Sequence, residues 1–317
     1  TAAHVVAPVV PNPDGQRRPL AVLLHGRHTT CYPTSGEGSN SGNGNVASDD
    51  PRYAAWPCAD GWRPVPSERG YVQTQRLLAS RGFVTVSIAS NGINGQDLPL
   101  DDGGAGARAA LIDHHLDLWE NWSRSSAAHA EAPAAVAASP LADLDRIMLV
   151  GHSRGGDGVN RAALDVRANP ARRVRGVVHL APTLLGRNPA PDVPTLVLLP
   201  SCDGDVQDLQ GQEYVDAARD LAGPGEPGPA LRSSVLVLGA NHNWFNSEWT
   251  PGSAAPSWDD WYNPADPLCG TGYDSIRLTP GQQRQVGATY VAAAAAVFLE
   301  QNANVLPLLD GARVRAA

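Results

Sequence analysis

The sequence is short of positive charge, of long apolar runs and of paired cysteines, and each shortage removes a class of protein. The formal net charge is −8, so the surface as a whole does not attract phosphate backbones or anionic membranes, and nucleic-acid binding is not expected. There is no lysine; every basic side chain is arginine or histidine, a trait of composition that points to no mechanism. No apolar run approaches the eighteen residues of a membrane span, so no transmembrane segment is expected. No CxxC pair occurs among the four cysteines, which argues against a zinc site. No internal repeat is visible, which argues against solenoid and propeller folds.

Short apolar runs bounded by Gly, Pro or Asp are present. Six lie at 19–26, 83–90, 146–153, 175–182, 194–201 and 233–240. They are rich in Val and Leu and lack strict alternation, as strands buried on both faces do. An extended segment at 3–10 reads as an edge hairpin. Helical patterns fall at 70–82, 107–123, 156–169, 208–223 and 280–302, with Leu111, Leu116 and Trp119 spaced for one buried face. Strands alternating with helices imply an α/β fold with a mainly parallel sheet and helices on both faces. Residues 1–317 are long enough for one large core and are read as a single domain.

Two stretches break the alternation. Residues 31–66 are rich in Gly, Ser, Asn and Pro, and residues 244–279 hold Trp244, Phe245, Trp249, Trp258 and Trp261 among their aromatic side chains. Both are read as long functional insertions without regular structure, anchored by tryptophan and cysteine. Those tryptophans form either a wall for an apolar substrate or a local core for each loop. The even cysteine count in loop-like surroundings suits two disulfides, with Cys31–Cys58 and Cys202–Cys269 the favoured pairs of three possible pairings, and hence an oxidising, extracellular compartment. Residues 303–317 read as a linker or tail.

The stretch "LVGHSRGGDGVN" (149–160) carries the chemistry. An apolar strand ends in Gly151-His152-Ser153-Arg154-Gly155 and a helical pattern follows. That context suits a nucleophile elbow, in which the two glycines let the backbone fold back on itself and expose the serine. A serine needs a base within hydrogen-bond reach. Among nine histidines, His242 lies just beyond the last strand, where a loop can bring it over Ser153. His179 reads as a satisfied core residue, His152 as a packing residue, and His4, His28 and His129 have no comparable context. The carboxylate that orients the base is Asp203, in "PSCDGDV", with Asp205 as the alternative. That loop supplies too few spaced oxygen ligands for calcium. The backbone N–H groups of Arg154 and of Arg27, which follows Gly26, are the expected oxyanion-hole donors; His25 reads as a structural hydrogen-bonding residue. The chain order Ser153, Asp203, His242 is the one expected of such a site.

Through "LAVLLHG", "RGFVTVSIASNG", "LDRIMLVGHSRGG", "VPTLVLLPSCDGD" and "LGANHNWFN" the chain resembles the α/β-hydrolases over nearly its whole length. Within them it is most similar to secreted actinobacterial lipase-like and polyester-hydrolase (cutinase-type) serine esterases, and its elbow also resembles that of chlorophyllases. The resemblance implies an α/β-hydrolase fold and hydrolysis of carboxylic esters through an acyl-serine, without metal or organic cofactor. By the same resemblance Ser153 is the nucleophile, His242 the base and Asp203 the acid, with Arg27 and Arg154 supplying the oxyanion hole. The implied partner is a small-molecule, lipid or polymeric ester, and the expected form a secreted monomer. The two insertions depart from the short loops of polyester hydrolases and are expected to overhang the site. An amidase or peptidase with the same triad, and a non-catalytic binding module on this scaffold, are the alternatives.

Overall fold

A computed structural model describes residues 2–9, 16–34, 50–217 and 230–312. Among them the strands are β1 (Ala3–Val6), β2 (Arg18–Leu24), β3 (Cys31–Pro33), β4 (Trp62–Pro64), β5 (Val84–Ile88), β6 (Ala142–His152), β7 (Val174–Leu180), β8 (Thr195–Pro200) and β9 (Arg232–Val237). The α-helices are α1 (Val72–Ser80), α2 (Asn91–Asn94), α3 (Ala105–Ser123), α4 (Ser126–Ala130), α5 (Ala134–Ala137), α6 (Arg154–Asp165), α7 (Glu213–Asp216) and α8 (Pro280–Glu300).

Seven strands form one sheet in the order β1-β5-β2-β6-β7-β8-β9. All neighbours pair in parallel except β1, which runs antiparallel to β5. The fold is thus α/β, with a mostly parallel mixed sheet. Alternate residues of β2 feed opposite cores, as the period of two in a strand requires. Ala21 and Leu23 pack with Leu78 of α1 and Val291 and Phe298 of α8. Leu20, Val22 and Leu24 pack with Ile112, Leu116 and Trp119 of α3 and Val159 of α6. Both faces are covered, which explains why the central strands read as continuous apolar runs. Helix α8 starts at a capping box in which Thr279 and Gln282 satisfy each other's backbone, with Pro280 at its first turn.

The sheet is built outward in both directions from β2: β5 lies on one side and β6 on the other. Such a reversal opens a crevice at the carboxyl ends of the two central strands, where ligands of open parallel sheets bind. Gly26 and Arg27 leave β2 at that crevice, and Ser153 leaves β6 there.

Four expectations need correction. Segment 3–10 supplies the edge strand β1 but no hairpin, because its partner is the distant β5. The helix expected at 208–223 is reduced to a 3-10 turn, Gln210–Gln212, and one turn of α7; residues 218–223 lie outside the described ones. The insertion at 31–66 contains regular structure, since β3 and β4 pair antiparallel around a 3-10 turn at Pro51–Ala54. The tail is no free linker as far as residue 312: a 3-10 turn, Ala303–Leu308, leads to buried Leu309, whose carbonyl accepts a hydrogen bond from Ser233 Oγ. Residues 313–317 lie outside the described ones.

Both favoured disulfides, Cys31–Cys58 and Cys202–Cys269, are present. The two insertions share a small core in which Tyr32 and Val65 of the first meet Ala255 of the second. Among the described residues, no helix is long and apolar enough to cross a membrane.

Candidate active site

Ser153 sits between the last residue of β6 and the first of α6 at φ 57°, ψ −129°, a conformation that a residue with a side chain adopts only when its surroundings force it. The forcing contacts are backbone. Ser153 N–H donates to Leu180 O at 3.0 Å, and Ser153 O accepts from Gly156 N at 2.8 Å. A Cβ on Gly151 would stand 2.3 Å from Gly155 O, and one on Gly155 would stand 2.3 Å from Leu24 O. Both glycines of the pattern are therefore required sterically. Gly26 is pressed against the serine, since a Cβ there would stand 2.4 Å from Ser153 Cβ and 2.9 Å from its Oγ. The next residue, Arg27, and the residue after the serine, Arg154, have backbone N–H groups with no acceptor among the described residues.

His242 is buried beyond β9. Its Nδ1–H donates to Asp203 Oδ2 at 3.0 Å. Asp203, itself buried, is fixed through Oδ1 by the N–H groups of Asp205 at 3.0 Å and Val206 at 2.6 Å. The turn leaving β8 thus aims Asp203 inward and leaves Asp205 64% exposed. Asp205 occupies the opposite edge of the imidazole, with Oδ2 3.4 Å from Nε2. No hydrogen bond is made by His242 Nε2, so the serine–histidine bond expected of a resting triad is not formed here. Such bonds are often long or misaligned without substrate.

Burial disfavours a charged His242, but the charge of Asp203 and its hydrogen bond, with Asp205 and Asp260 behind them, outweigh burial and lift its pKa to about 9. Asp260 was not legible in the sequence. Its carboxylate accepts from His242 N at 3.0 Å, Asn243 N at 3.0 Å and Gly204 N at 2.8 Å. It ties the histidine loop to the acid loop, and desolvation pushes its pKa up to about 6. Its only sequence signal is "SWDDW", an acidic pair between tryptophans in the second insertion.

Four other histidines are buried around the site and the adjoining core. His25 Nδ1–H donates to Gly26 O at 2.9 Å and Nε2 accepts from Ser90 N at 2.8 Å, the structural role expected. His152 Nε2–H donates to the carbonyl of His242 at 2.9 Å, leaving Nδ1 to accept from Tyr71 Oη at 2.9 Å. His28, which had no assigned context, is sandwiched between Trp249 and Trp258 at ring separations of 4.8 and 4.5 Å. This stack pins the loop after β2 to the second insertion. His179 is buried and stacked on Tyr214, but it is not satisfied: neither ring nitrogen has a protein partner. Burial, with a smaller push from Arg232, lowers its pKa to about 3, so it stays neutral and donates no charge to the core.

Ser153, Arg27, Arg154, Asp205, Asp260 and Trp258 line one cavity of about 820 Å³. Among the described residues, no group of three or more His, Cys, Asp or Glu side chains is arranged to hold a metal ion. The arrangement combines a strained serine that is almost wholly buried but lines the cavity, an imidazole oriented by a buried carboxylate, and two free N–H donors from the loops next to the serine. It suits attack on a carbonyl carbon. Neither a scan against protein-family models nor a search of curated proteins finds a match to this chain.

Proposed function

We propose that the chain is a serine hydrolase of carboxylic esters on an α/β-hydrolase fold, acting outside the cell. The observation that carries the reading is the conformation of Ser153. A non-glycine residue at φ 57°, ψ −129° is costly, and here the cost presents Oγ at the crevice while Gly26 brings a second N–H donor beside it. The parallel strand order with its reversal at β2, and the order Ser153, Asp203, His242 beyond the ends of β6, β8 and β9, support the same fold and triad. The two disulfides suit an oxidising compartment.

In the reaction, neutral His242 takes the proton of Ser153 Oγ at Nε2 as Oγ attacks the ester carbonyl carbon. The carbonyl oxygen becomes an oxyanion between the N–H groups of Arg27 and Arg154. Asp203 holds Nδ1–H and stabilises the imidazolium. When the tetrahedral intermediate collapses, the C–O bond to the alcohol breaks and the alcohol leaves with the proton from Nε2. Water repeats the sequence on the acyl-serine, releasing the acid and free Ser153.

Hydrolysis of 4-nitrophenyl butyrate tests the reading. The expected result is turnover that falls at least about a thousandfold in Ser153→Ala. An alanine variant as active as the parent chain would overturn it.

A further inference from the structure

The cavity beside Ser153 is electrically lopsided. On the side of the two N–H donors, three guanidiniums share one carboxylate. Asp97 Oδ1 accepts from Arg27 Nε at 3.1 Å, while its Oδ2 meets Arg108 Nη2 at 2.8 Å and Arg154 Nη1 at 3.1 Å. Arg108 is fully buried and directs its remaining terminal donors to Gly103 O and Asn94 Oδ1. Arg27 and Arg154 differ. Their side chains are 32% and 19% exposed, both residues line the cavity with Ser153, and their remaining guanidinium N–H groups have no acceptor among the described residues. Asp157 and Asp102 also act on the buried Arg108, so the guanidiniums left with free donors are those of the two arginines that reach the cavity.

On the other side the sign reverses. Asp205 stands 3.4 Å from His242 Nε2. Asp50, also on the wall, is already paired with Arg52 through a forked contact at 2.9 Å. The departing alcohol must lie at Nε2 to receive its proton, and therefore beside Asp205. The acyl part extends the other way, toward Arg27 and Arg154. A carboxylate there gains charge-assisted, fork-shaped hydrogen bonds, whereas a carboxylate on the alcohol meets Asp205.

Resting on the ester-hydrolase reading above, we propose that the site selects esters whose acyl part carries a carboxylate, with Arg27 and Arg154 as its specificity-determining side chains. Asp97 is the positioning residue that holds both guanidiniums.

The test compares kcat/KM for two substrates of equal acyl length, the mono-4-nitrophenyl ester of adipic acid and 4-nitrophenyl hexanoate, with the uncatalysed rates subtracted. The expected preference for the anionic ester is about tenfold at low salt, equivalent to about 1.4 kcal/mol, shrinking at high ionic strength. The ratio should collapse toward one in Arg27→Gln and Arg154→Gln and recover in part in Arg27→Lys. Taking a ratio removes any general loss caused by disturbing the loop. If both variants fail to fold, the salt dependence of the parent chain decides alone. On the alcohol side, 4-acetoxybenzoate should be a poorer substrate than its methyl ester. Equal turnover of both acyl substrates, or a preference indifferent to salt and to both variants, overturns the proposal while leaving the ester-hydrolase reading intact. No turnover of either substrate overturns both.

Discussion

Replacing Asp205 by Asn changes the candidate base without touching its anchor. Asp205 Oδ2 lies 3.4 Å from His242 Nε2, on the edge opposite Asp203. Two unit charges at that separation attract by roughly 1 kcal/mol where water dominates, and several-fold more in a dry site. The side chain of Asp205 is 64% exposed, so the lower end applies, and about 1.4 kcal/mol equals one pKa unit. Asp205→Asn is therefore expected to lower the His242 value from about 9 by about one unit. The sign follows from the chemistry: only neutral imidazole accepts the serine proton, so a raised value suppresses activity at neutral pH. In the parent chain kcat/KM should rise with pH through about 9, and in the variant about one unit lower. At pH 7 the variant should be about tenfold more active, with the alkaline plateau unchanged. The assay is kcat/KM for a neutral 4-nitrophenyl ester between pH 6 and 10.5 at low salt. An acid limb that stays in place in the variant, or one already near 6.5 in the parent chain, would refute the electrostatic reasoning.

Two further outcomes follow from packing and from the covalent links. Gly26→Ala places a methyl 2.4 Å from Ser153 Cβ and 2.6 Å from His152 O. It should lower stability by about 1–3 kcal/mol and reduce kcat more than tenfold; thermal unfolding and turnover measure the two, and a fully active variant would mean that this loop does not adjoin the nucleophile. Removing Cys202–Cys269 with a double serine substitution frees a loop of sequence separation 67. A stability loss of about 4 kcal/mol in urea unfolding is expected from loop entropy, together with a fall in kcat because Cys202 precedes Asp203. A variant with unchanged kcat would show that the acid loop holds itself.

What could be read in the sequence was whatever is local in the chain. The elbow was legible because strand, glycines, serine and helix are contiguous; the steric need for Gly151 arises within the turn, at Gly155 O, while that for Gly155 comes from Leu24 O on the distant β2 and is seen only in the fold. Asp203 and His242 were legible for the same reason: each follows a strand end directly. His242 Nδ1 bonds Asp203 and not Asp205 because the turn after β8 buries one carboxylate and exposes the other, an arrangement that spacing alone left open. Asp97 and Asp260 were not legible. Each works by meeting residues far along the chain, Asp97 the guanidiniums of Arg27, Arg108 and Arg154, and Asp260 the backbone of His242, Asn243 and Gly204, and no periodicity marks such a role. His28 had no visible purpose because its partners, Trp249 and Trp258, lie more than two hundred residues away. Of the tryptophans of the second insertion, Trp249 is fully buried in the stack, and Trp258 both stacks on His28 and lines the cavity. The apolar pattern that suggested a helix at 208–223 was outweighed as far as residue 217 by packing, with Tyr214 turned inward to donate to Thr183 O.

Covalent labelling tests the central claim most directly. A fluorophosphonate reacts with a serine only when a base and an oxyanion hole activate it. The expected result is one adduct per chain, located on Ser153 by peptide mass spectrometry, with ester hydrolysis lost in proportion to labelling and labelling abolished in His242→Ala. A chain that remains unlabelled while folded, or that is labelled at another residue, would contradict the account.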